Sequence, residues 1–271
     1  MKAILIDVSN LANRALHTTG GLVREDGTPI GVIYGILRDV REIERTFRTN
    51  TLVFLFDSQE SIRKGMYPEY KSKRRKDREA EPIEKKEARK AMYEQVNLLP
   101  ELLREAGCRN LHRLRGYEAD DLIASIVCND QELEFVIYSS DSDCFQLLQS
   151  GRVTQWLPTA KYELTEEEFT EKYKVLPCQW ASVKAWAGCP TDNIEGIRGI
   201  GEKKAADFLN GKFGKPEIFT DRIDVYNRNH PLVKLPLAGC PVVRLREQVT
   251  RIDWTVLERY IDPGYVSITG V

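Results

Sequence analysis

Ala3-Ile4-Leu5-Ile6-Asp7 is a short apolar run closed by a carboxylate. The device returns as Leu52 to Phe56 before Asp57, and as Phe135 to Tyr138 shortly before Asp141 and Asp143. Continuous apolar runs of this length are what strands buried on both faces of a parallel sheet require. In such a sheet ligands sit in the crevice at the carboxyl ends of the strands, so these acids are predicted to gather in one place. Two unit charges about 4 Å apart repel by about 4 kcal/mol at an effective dielectric near 20. A crevice lined by several ionised carboxylates therefore calls for divalent cations, and the pattern points to metal-dependent phosphodiester chemistry.

Working outward, Asn10 to His17 reads as a short helix and Ile30 to Phe47 as a longer one, with Ile33, Ile36, Leu37, Val40 and Ile43 on one face. Glu81-Pro82 opens a helix running to about Glu105, Gly107 closes it, and Glu118 to Val127 forms the next helix before the strand at Phe135. Strand and helix alternate through about Leu148, as βαβ crossovers require, so residues 1–150 are expected to form an α/β domain. Its central, mostly parallel sheet would be flanked by helices. The stretch from Ser58 to Glu81 is polar, basic and almost without aliphatic residues, and is expected to be mobile or ordered by substrate. Beyond Gly151 helices with short connections are expected: Thr165 to Tyr173, Pro177 to Ala187, and a pair around Asn193 to Leu209. The proline-rich remainder from Lys215 to Val271 should pack against the main body.

With 271 residues, 42% hydrophobic and 30% charged, the chain can bury one substantial α/β core with a smaller appended module. Its six cysteines form no C-x-x-C pair and no zinc spacing with the three histidines, which predicts reduced thiols and a cytoplasmic protein. No apolar run approaches the roughly eighteen residues of a membrane span, and the apolar residues before Asp7 are too few for a signal peptide. The formal net charge of −1 hides a local asymmetry. Arg63, Lys64, Lys71, Lys73, Arg74, Arg75, Lys76 and Arg78 are opposed only by Glu69 and Asp77. Such a patch is either the footprint of phosphate contact or a solvated helix face.

Three motifs carry the chemistry. In Gly116-Tyr117-Glu118-Ala119-Asp120-Asp121-Leu122-Ile123, Glu118 and Asp121 share a helix face, and the acids either meet the helix dipole or ligate metal. In Ser139-Ser140-Asp141-Ser142-Asp143, Asp143 reads as an N-cap or, with Asp141, as a pair projecting into the crevice. Capping alone does not account for Asp7, Asp57, Asp141 and Asp143 together. An oxygen-rich set without a His or Cys cluster selects Mg²⁺ or Mn²⁺ over zinc. The third motif, Gly196-Ile197-Arg198-Gly199-Ile200-Gly201-Glu202-Lys203-Lys204-Ala205, is a glycine-punctuated turn entering a helix. It can hold a phosphate on backbone N–H groups or serve as a plain interhelical turn; Lys203 and Lys204 tilt it toward nucleic acid.

The order of these pieces, from Ile6-Asp7 and Phe56-Asp57 through Tyr67 to Arg74, Tyr117 to Asp121 and Ser140 to Asp143, to Asp192-Asn193-Ile194 and the glycine-rich turn, resembles the 5′ nuclease (flap endonuclease) superfamily. That superfamily includes phage 5′-exonucleases and the 5′-nuclease domain of bacterial DNA polymerase I. The likeness covers roughly residues 1 to 210. It implies a PIN-like domain whose carboxylates hold two metal ions, with a helical arch or clamp at about 58–105 over the site. It also implies a mainly helical DNA-binding region, 151–271, with a helix-turn-helix element at about 190–210.

On that resemblance Asp7, Asp57, Glu118, Asp120 and Asp141 hold the first ion with Asp121 nearby, and Asp143 and Asp192 serve the second. Tyr70, Lys71 and Arg74 approach the scissile strand as catalytic groups. Arg63, Lys64, Lys73 and Arg75, with Gly199, Gly201, Lys203 and Lys204, contact nucleic-acid backbone. The carbonyls of Ile197 and Ile200 would hold a monovalent cation such as K⁺. One departure stands out: the family's G-D-x-x-D-N appears as Gly188-Cys189-Pro190-Thr191-Asp192-Asn193. A thiolate suits Mg²⁺ poorly, so Cys189 weakens the second site.

The implied activity is a Mg²⁺-dependent, structure-selective 5′-3′ exonuclease or flap endonuclease acting on DNA ends, flaps or branches, and on RNA of RNA–DNA hybrids. It would work in replication or repair, with no membrane, in a bacterial cell or phage-infected host. A separate replicative polymerase or a single-strand-binding protein would be its partner. The competing readings are a branched-DNA-binding protein weakened in catalysis, suggested by Cys189, and a PIN-type ribonuclease.

Overall fold

The computed structural model describes residues 2–49, 51–247 and 251–261, and the backbone of 265–267. The chain runs β1 (Lys2–Asp7), α1 (Val8–Thr18), β2 (Leu22–Arg24), α2 (Gly31–Phe47), β3 (Leu52–Leu55), α3 (Ile62–Met66), α4 (Ser72–Glu79) and α5 (Ile83–Glu105). It continues through β4 (Asn110–His112), α6 (Ala119–Asn129), β5 (Glu134–Tyr138), β6 (Val153–Leu157) and β7 (Tyr162–Leu164). One sheet has the order β4-β3-β1-β5-β6-β7; all its pairings are parallel except β6 with β7. Because successive strand side chains point to opposite faces, Ile4, Ile6, Phe54, Val136 and Tyr138 enter the core under α1, α2 and α5. Ala3, Leu5, Val53, Phe135 and Ile137 enter the core under α6. The central strands β1, β3 and β5 are largely apolar because both faces are covered, and their carboxyl ends open on the same side.

The first turn of α2 shows how the flanking layer is held. Ile30, before the helix, supplies no side-chain cap. The orphan N–H groups of Val32 and Ile33 instead donate to Gln95 Oε1 on α5, at 3.0 and 3.1 Å. Gln95 is buried, as are Met92, Leu99, Leu102 and Leu103, so the second half of α5 packs on the core. Its first half, with Ile83 exposed, rises from the body and faces α4.

The remainder comprises α7 (Glu166–Tyr173), α8 (Trp180–Ala187), β8 (Gly188–Cys189), β9 (Ile194–Glu195), α9 (Glu202–Leu209), α10 (Glu217–Thr220), α11 (Ile223–Val233), α12 (Trp254–Ile261) and β10 (Tyr265–Ser267). A second core joins Phe145, Phe169, Trp180, Val183, Trp186 and Phe219; the Phe169 and Trp180 rings meet edge-on at 5.3 Å. The buried Asn229 of α11 donates to the carbonyls of Ala185 and Glu195, both at 2.9 Å. β8 and β9 form a small antiparallel hairpin whose closeness depends on glycine. Gly188 lies at φ +82°, and a Cβ there would stand 2.4 Å from the Gly196 nitrogen.

Three expectations need correction. Ser58 to Glu81 is ordered as α3 and α4 and contributes the buried Arg63 and Tyr70; its anchors are polar or aromatic, so a count of aliphatic residues overlooks them. Beyond Gly151 the chain is not only helical, since β6 and β7 complete the sheet; their alternation with polar residues masks them. The pair expected over Asn193 to Leu209 is a single helix, α9, preceded by a 3₁₀ turn and β9. The helix before this turn is α8, which ends at Ala187, ahead of the expected 190–210 range. The part after α11 does pack on the main body: Leu235 and Val243 enter the α6-side core, and Asn110 exchanges two hydrogen bonds with the Arg246 backbone.

Replacing Gln95 with Ala leaves two buried N–H donors without partners, at about 1–3 kcal/mol each. Urea unfolding should show Gln95→Ala less stable than wild type by about 2–6 kcal/mol. An unshifted midpoint would show that the first turn of α2 does not depend on α5.

Candidate active site

Asp7 is both the last residue of β1 and the cap of α1. One carboxylate oxygen accepts the Asn10 N–H at 2.9 Å, and the other accepts the Ser139 hydroxyl at 2.9 Å. β1 is thereby tied to the end of β5. Asp57, two residues beyond β3, accepts the Ala119 N–H at 2.8 Å and pins the start of α6 to the strand ends, which brings Glu118 and Asp120 to the crevice. Asp141 accepts the Asp143 N–H at 2.9 Å, while Gln155 on β6 holds the carbonyls of Ser139 and Asp141, both at 2.8 Å. Local capping and convergence are thus served by the same side chains.

The electrostatics show why such a crowd suits a divalent cation. Burial, with Asp57 and Asp141 nearby, pushes Asp7 up to about 7. Burial also pushes Asp120 well above the carboxylate range, with Asp121 and Glu118 adding to it and Arg63 and Lys71 opposing. Asp143 is pushed up to about 6 by burial and then Asp141. Glu118 moves the other way: burial would raise it, but Lys71 and Arg63 outweigh burial and hold it below the usual value. Oxygens that resist ionising together form a donor set matched to a hard cation such as Mg²⁺ or Mn²⁺.

Three cations reach these acids. Lys71 pairs with Glu118, Arg74 with Asp192 at 3.0 Å, and Lys184 with Asp143 at 3.3 Å. The Tyr70 hydroxyl donates to Glu118 at 3.1 Å. Between this crevice and the α4–α5 arch lies a cavity of about 1050 Å³ lined by Asp57, Tyr70, Lys71 and Arg74. Lys64 and Arg75 also line it, together with Arg78, Lys86, Arg89 and Lys90, of which the last three were not singled out in the sequence as site residues. Lys73 and Lys203 are exposed. At the glycine-rich turn the Lys204 ammonium donates to the Gly199 carbonyl at 2.8 Å, and the Ile197 carbonyl accepts the Ile200 N–H at 3.0 Å. Gly199 takes φ +80°, and a Cβ at Gly199 or Gly201 would meet open space.

Two sequence assignments are corrected. Arg63 is not a surface contact for nucleic acid: it is 2% exposed. Its two terminal nitrogens fork onto Asp121 at 2.6 and 2.8 Å, and its Nε donates to the Leu232 carbonyl at 2.8 Å. Asp121, fully buried, is correspondingly spent. Besides Arg63 it accepts the N–H groups of Glu118 at 3.2 Å and Leu237 at 2.8 Å, so it positions α6 and has no lone pair directed at a metal. Among the described residues, the three carboxylate or thiol donors whose atoms all lie within 4.8 Å of one another are Asp143, Cys189 and Asp192. Lys184 was missed in the sequence; its signal is a lone lysine in the apolar run Trp180 to Ala187.

Residues 2–174 match the family described as 5′-3′ exonuclease, N-terminal resolvase-like domain. A 5′-3′ exonuclease of Aquifex aeolicus is 30% identical over 233 residues, covering 85% of this chain and 76% of that one. Thermostable DNA polymerase I of Thermus aquaticus is 31% identical over 226 residues, 82% of this chain. The chain spans 25% of the length of that polymerase. A bacteriophage T5 flap endonuclease, described as a pseudo-enzyme–product complex with DNA and metal ions, superposes with a TM-score of 0.72 at 23% identity, over 87% of this chain and 90% of that chain. At this identity the likeness establishes the shared fold.

Breaking a buried pair by removing one partner costs about 3–5 kcal/mol. Arg63→Met should lose about that much stability in denaturant unfolding, whereas Arg75→Met, at an exposed position, should change it by less than about 0.5 kcal/mol. Equal effects would remove the Arg63–Asp121 pair from its structural role. The Asp7 shift gives a pH dependence. With a folded value of about 7 against 3.8 for the free group, the folded state retains a proton the unfolded chain has released, so stability falls as pH rises through that window. In EDTA the melting temperature should be higher near about pH 5 than near about pH 8, with a smaller difference in Asp7→Asn. The same slope in both proteins would exclude Asp7 as its source.

Proposed function

Because the chain belongs to the 5′-3′ exonuclease N-terminal domain family, we propose that it is a divalent-metal-dependent 5′ nuclease cutting DNA at 5′ ends, flaps or branches. RNA in RNA–DNA hybrids is a further substrate. The observation that carries this reading is a cavity lined by Asp57 and Glu118 of the carboxylate crevice and, with them, by the lysines and arginines of the arch. The names of the Aquifex exonuclease and the T5 flap endonuclease complex support the activity and the DNA substrate.

Asp7, Asp57, Glu118, Asp120 and Asp141 would hold a first Mg²⁺ or Mn²⁺, and Asp143 and Asp192 are the acids left for a second position, which Cys189 weakens. A bound ion supplies a nucleophilic water at neutral pH and charge relief at the phosphate. Lys71 and Arg74, each paired with a carboxylate, would exchange that partner for the scissile phosphate and stabilise the charge that develops on it. Tyr70 stands beside them, buried and bonded to Glu118, and keeps that carboxylate in register. Lys64, Lys73 and Arg75 guide the single strand under the arch by charge.

Duplex backbone would lie on Gly199, Gly201, Lys203 and Lys204, with K⁺ on the carbonyls of Ile197 and Ile200 at the same turn. Catalysis falls to residues 1–150 with the strands that complete their sheet, and duplex binding to the helical elements that follow. A replicative polymerase or single-strand-binding protein would be the protein partner, in the cytoplasm.

The test uses labelled 5′-flap DNA, blunt duplex, single-stranded RNA and RNA–DNA hybrid, each with and without Mg²⁺. Flap DNA should be cut in a Mg²⁺-dependent way. Asp57→Asn preserves an oxygen acceptor for the Ala119 N–H but removes the charge, and should lower the cleavage rate by about 100- to 1,000-fold while flap binding in Ca²⁺ persists. Wild-type cleavage by Asp57→Asn, or cleavage of single-stranded RNA in preference to flap DNA, would sink the reading.

A further inference from the structure

Resting on the metal-dependent nuclease reading, we propose that in this chain the Lys184 ammonium takes the place of the second divalent cation, so that the crevice works with one ion. Lys184 is the one ionisable residue of α8 and lies among Trp180, Val183, Ala185 and Trp186, with 7% exposure. Its Nζ stands 3.0 Å from the Ser142 hydroxyl, 3.3 Å from Asp143 and 3.4 Å from Glu202. It also lies 5.5 Å from the centre of the Trp180 ring. A buried ammonium is stable only when paired and hydrogen-bonded, and Asp143 is the buried acid that answers it.

The residues around this position do not fit a hard second cation. Asp143, Cys189 and Asp192 bring their donor atoms within 4.8 Å of one another, but the middle donor is sulfur, whose hydrogen-bond partner is the Thr191 hydroxyl at 3.1 Å. Sulfur is a poor partner for Mg²⁺. The charge balance points the same way. Asp143 is matched by Lys184, which Glu202 also shares, and Asp192 by Arg74, so each of the two crevice acids on this side already has a fixed cation. Around the first position, among the described residues, the acids Asp7, Asp57, Glu118, Asp120 and Asp141 have one directly paired cation, Lys71 on Glu118, while Arg63 is forked onto Asp121 and acts on Glu118 and Asp120 only through its field. The demand for a divalent ion is therefore concentrated on the first side. Lys184 supplies a fixed positive charge on the second side, where it neutralises Asp143 and adds to the field that holds a phosphate.

The test counts Mn²⁺ bound per chain by electron paramagnetic resonance, up to the concentration that saturates cleavage, for wild type, Cys189→Asp and the double variant Lys184→Met with Cys189→Asp. Melting curves accompany each protein. Wild type should bind one ion and Cys189→Asp still one, because the ammonium remains; the double variant should bind two. Titration of wild type with Co²⁺ should give no thiolate-to-metal charge-transfer band. Two ions in wild type, a second ion in Cys189→Asp alone, or a Cys189-dependent Co²⁺ band would each overturn the inference while leaving the nuclease reading intact. The first two proteins decide the matter even if the double variant does not fold. No ion in a wild-type protein that also fails to cleave would overturn the nuclease reading, and the inference with it.

Discussion

Arg63 reaches from α3 beneath the arch to Asp121 in α6, and both side chains are buried. An ion pair in such a place gives little stability by itself, because desolvation offsets most of the attraction. It becomes sustainable here because the remaining valences are filled: Arg63 donates to the Leu232 carbonyl, and Asp121 accepts from the backbones of Glu118 and Leu237. Three segments distant in sequence are fixed at one point. The arch base, the start of α6 and the chain leaving α11 cannot move independently without exposing a buried charge. Since Glu118 and Asp120 immediately precede Asp121 at the N-terminus of α6, the geometry of the crevice depends on this fork.

The crevice itself is built against its own stability. Asp7 and Asp143 are lifted to about 7 and about 6 chiefly by burial, so keeping them ionised opposes folding at neutral pH. The sheet core, with Ile4, Ile6, Val53 and Phe54 all shielded from solvent, offsets that cost. Capping reduces it further, because Asp7 accepts two hydrogen bonds and Asp57 accepts the Ala119 N–H. The same bonds set the direction of the carboxylates, so the scaffold and the site share atoms.

Much of this was legible in the sequence where one property is local. β1, β3 and β5 could be read because a strand covered on both faces is apolar at every position, and Asp7, Asp57 and Asp141 because they follow those strands. The arch helix and α2 were readable from their spacing and ends. What escaped depends on tertiary partners. Arg63 looks like any member of a basic run until Asp121 is found beneath it, and Asp121 looks like any acid in a first turn. Gln95 carries no local sign that it caps α2, and Lys184 none that its partner is Asp143. β6 was hidden because Thr154 and Gln155 face polar partners, which breaks the apolar run.

The near-zero net charge of the chain follows from how the two signs are disposed. Asp57 and Glu118 of the crevice line the cavity together with the lysines and arginines of the arch, and Lys71 and Arg74 are each already bonded to an acid. A phosphodiester entering alone would gain the rim cations but meet repulsion from Asp7, Asp57 and Asp141 beneath. A cation entering alone would find oxygens but leave Lys71 and Arg74 crowded by positive charge. Each arrival would relieve the cost of the other, since a metal on the floor would free Lys71 from Glu118 and a phosphate would give it a new partner. On the proposed reading, binding of cation and strand would thus be thermodynamically coupled through Lys71, and the coupling would act in both directions.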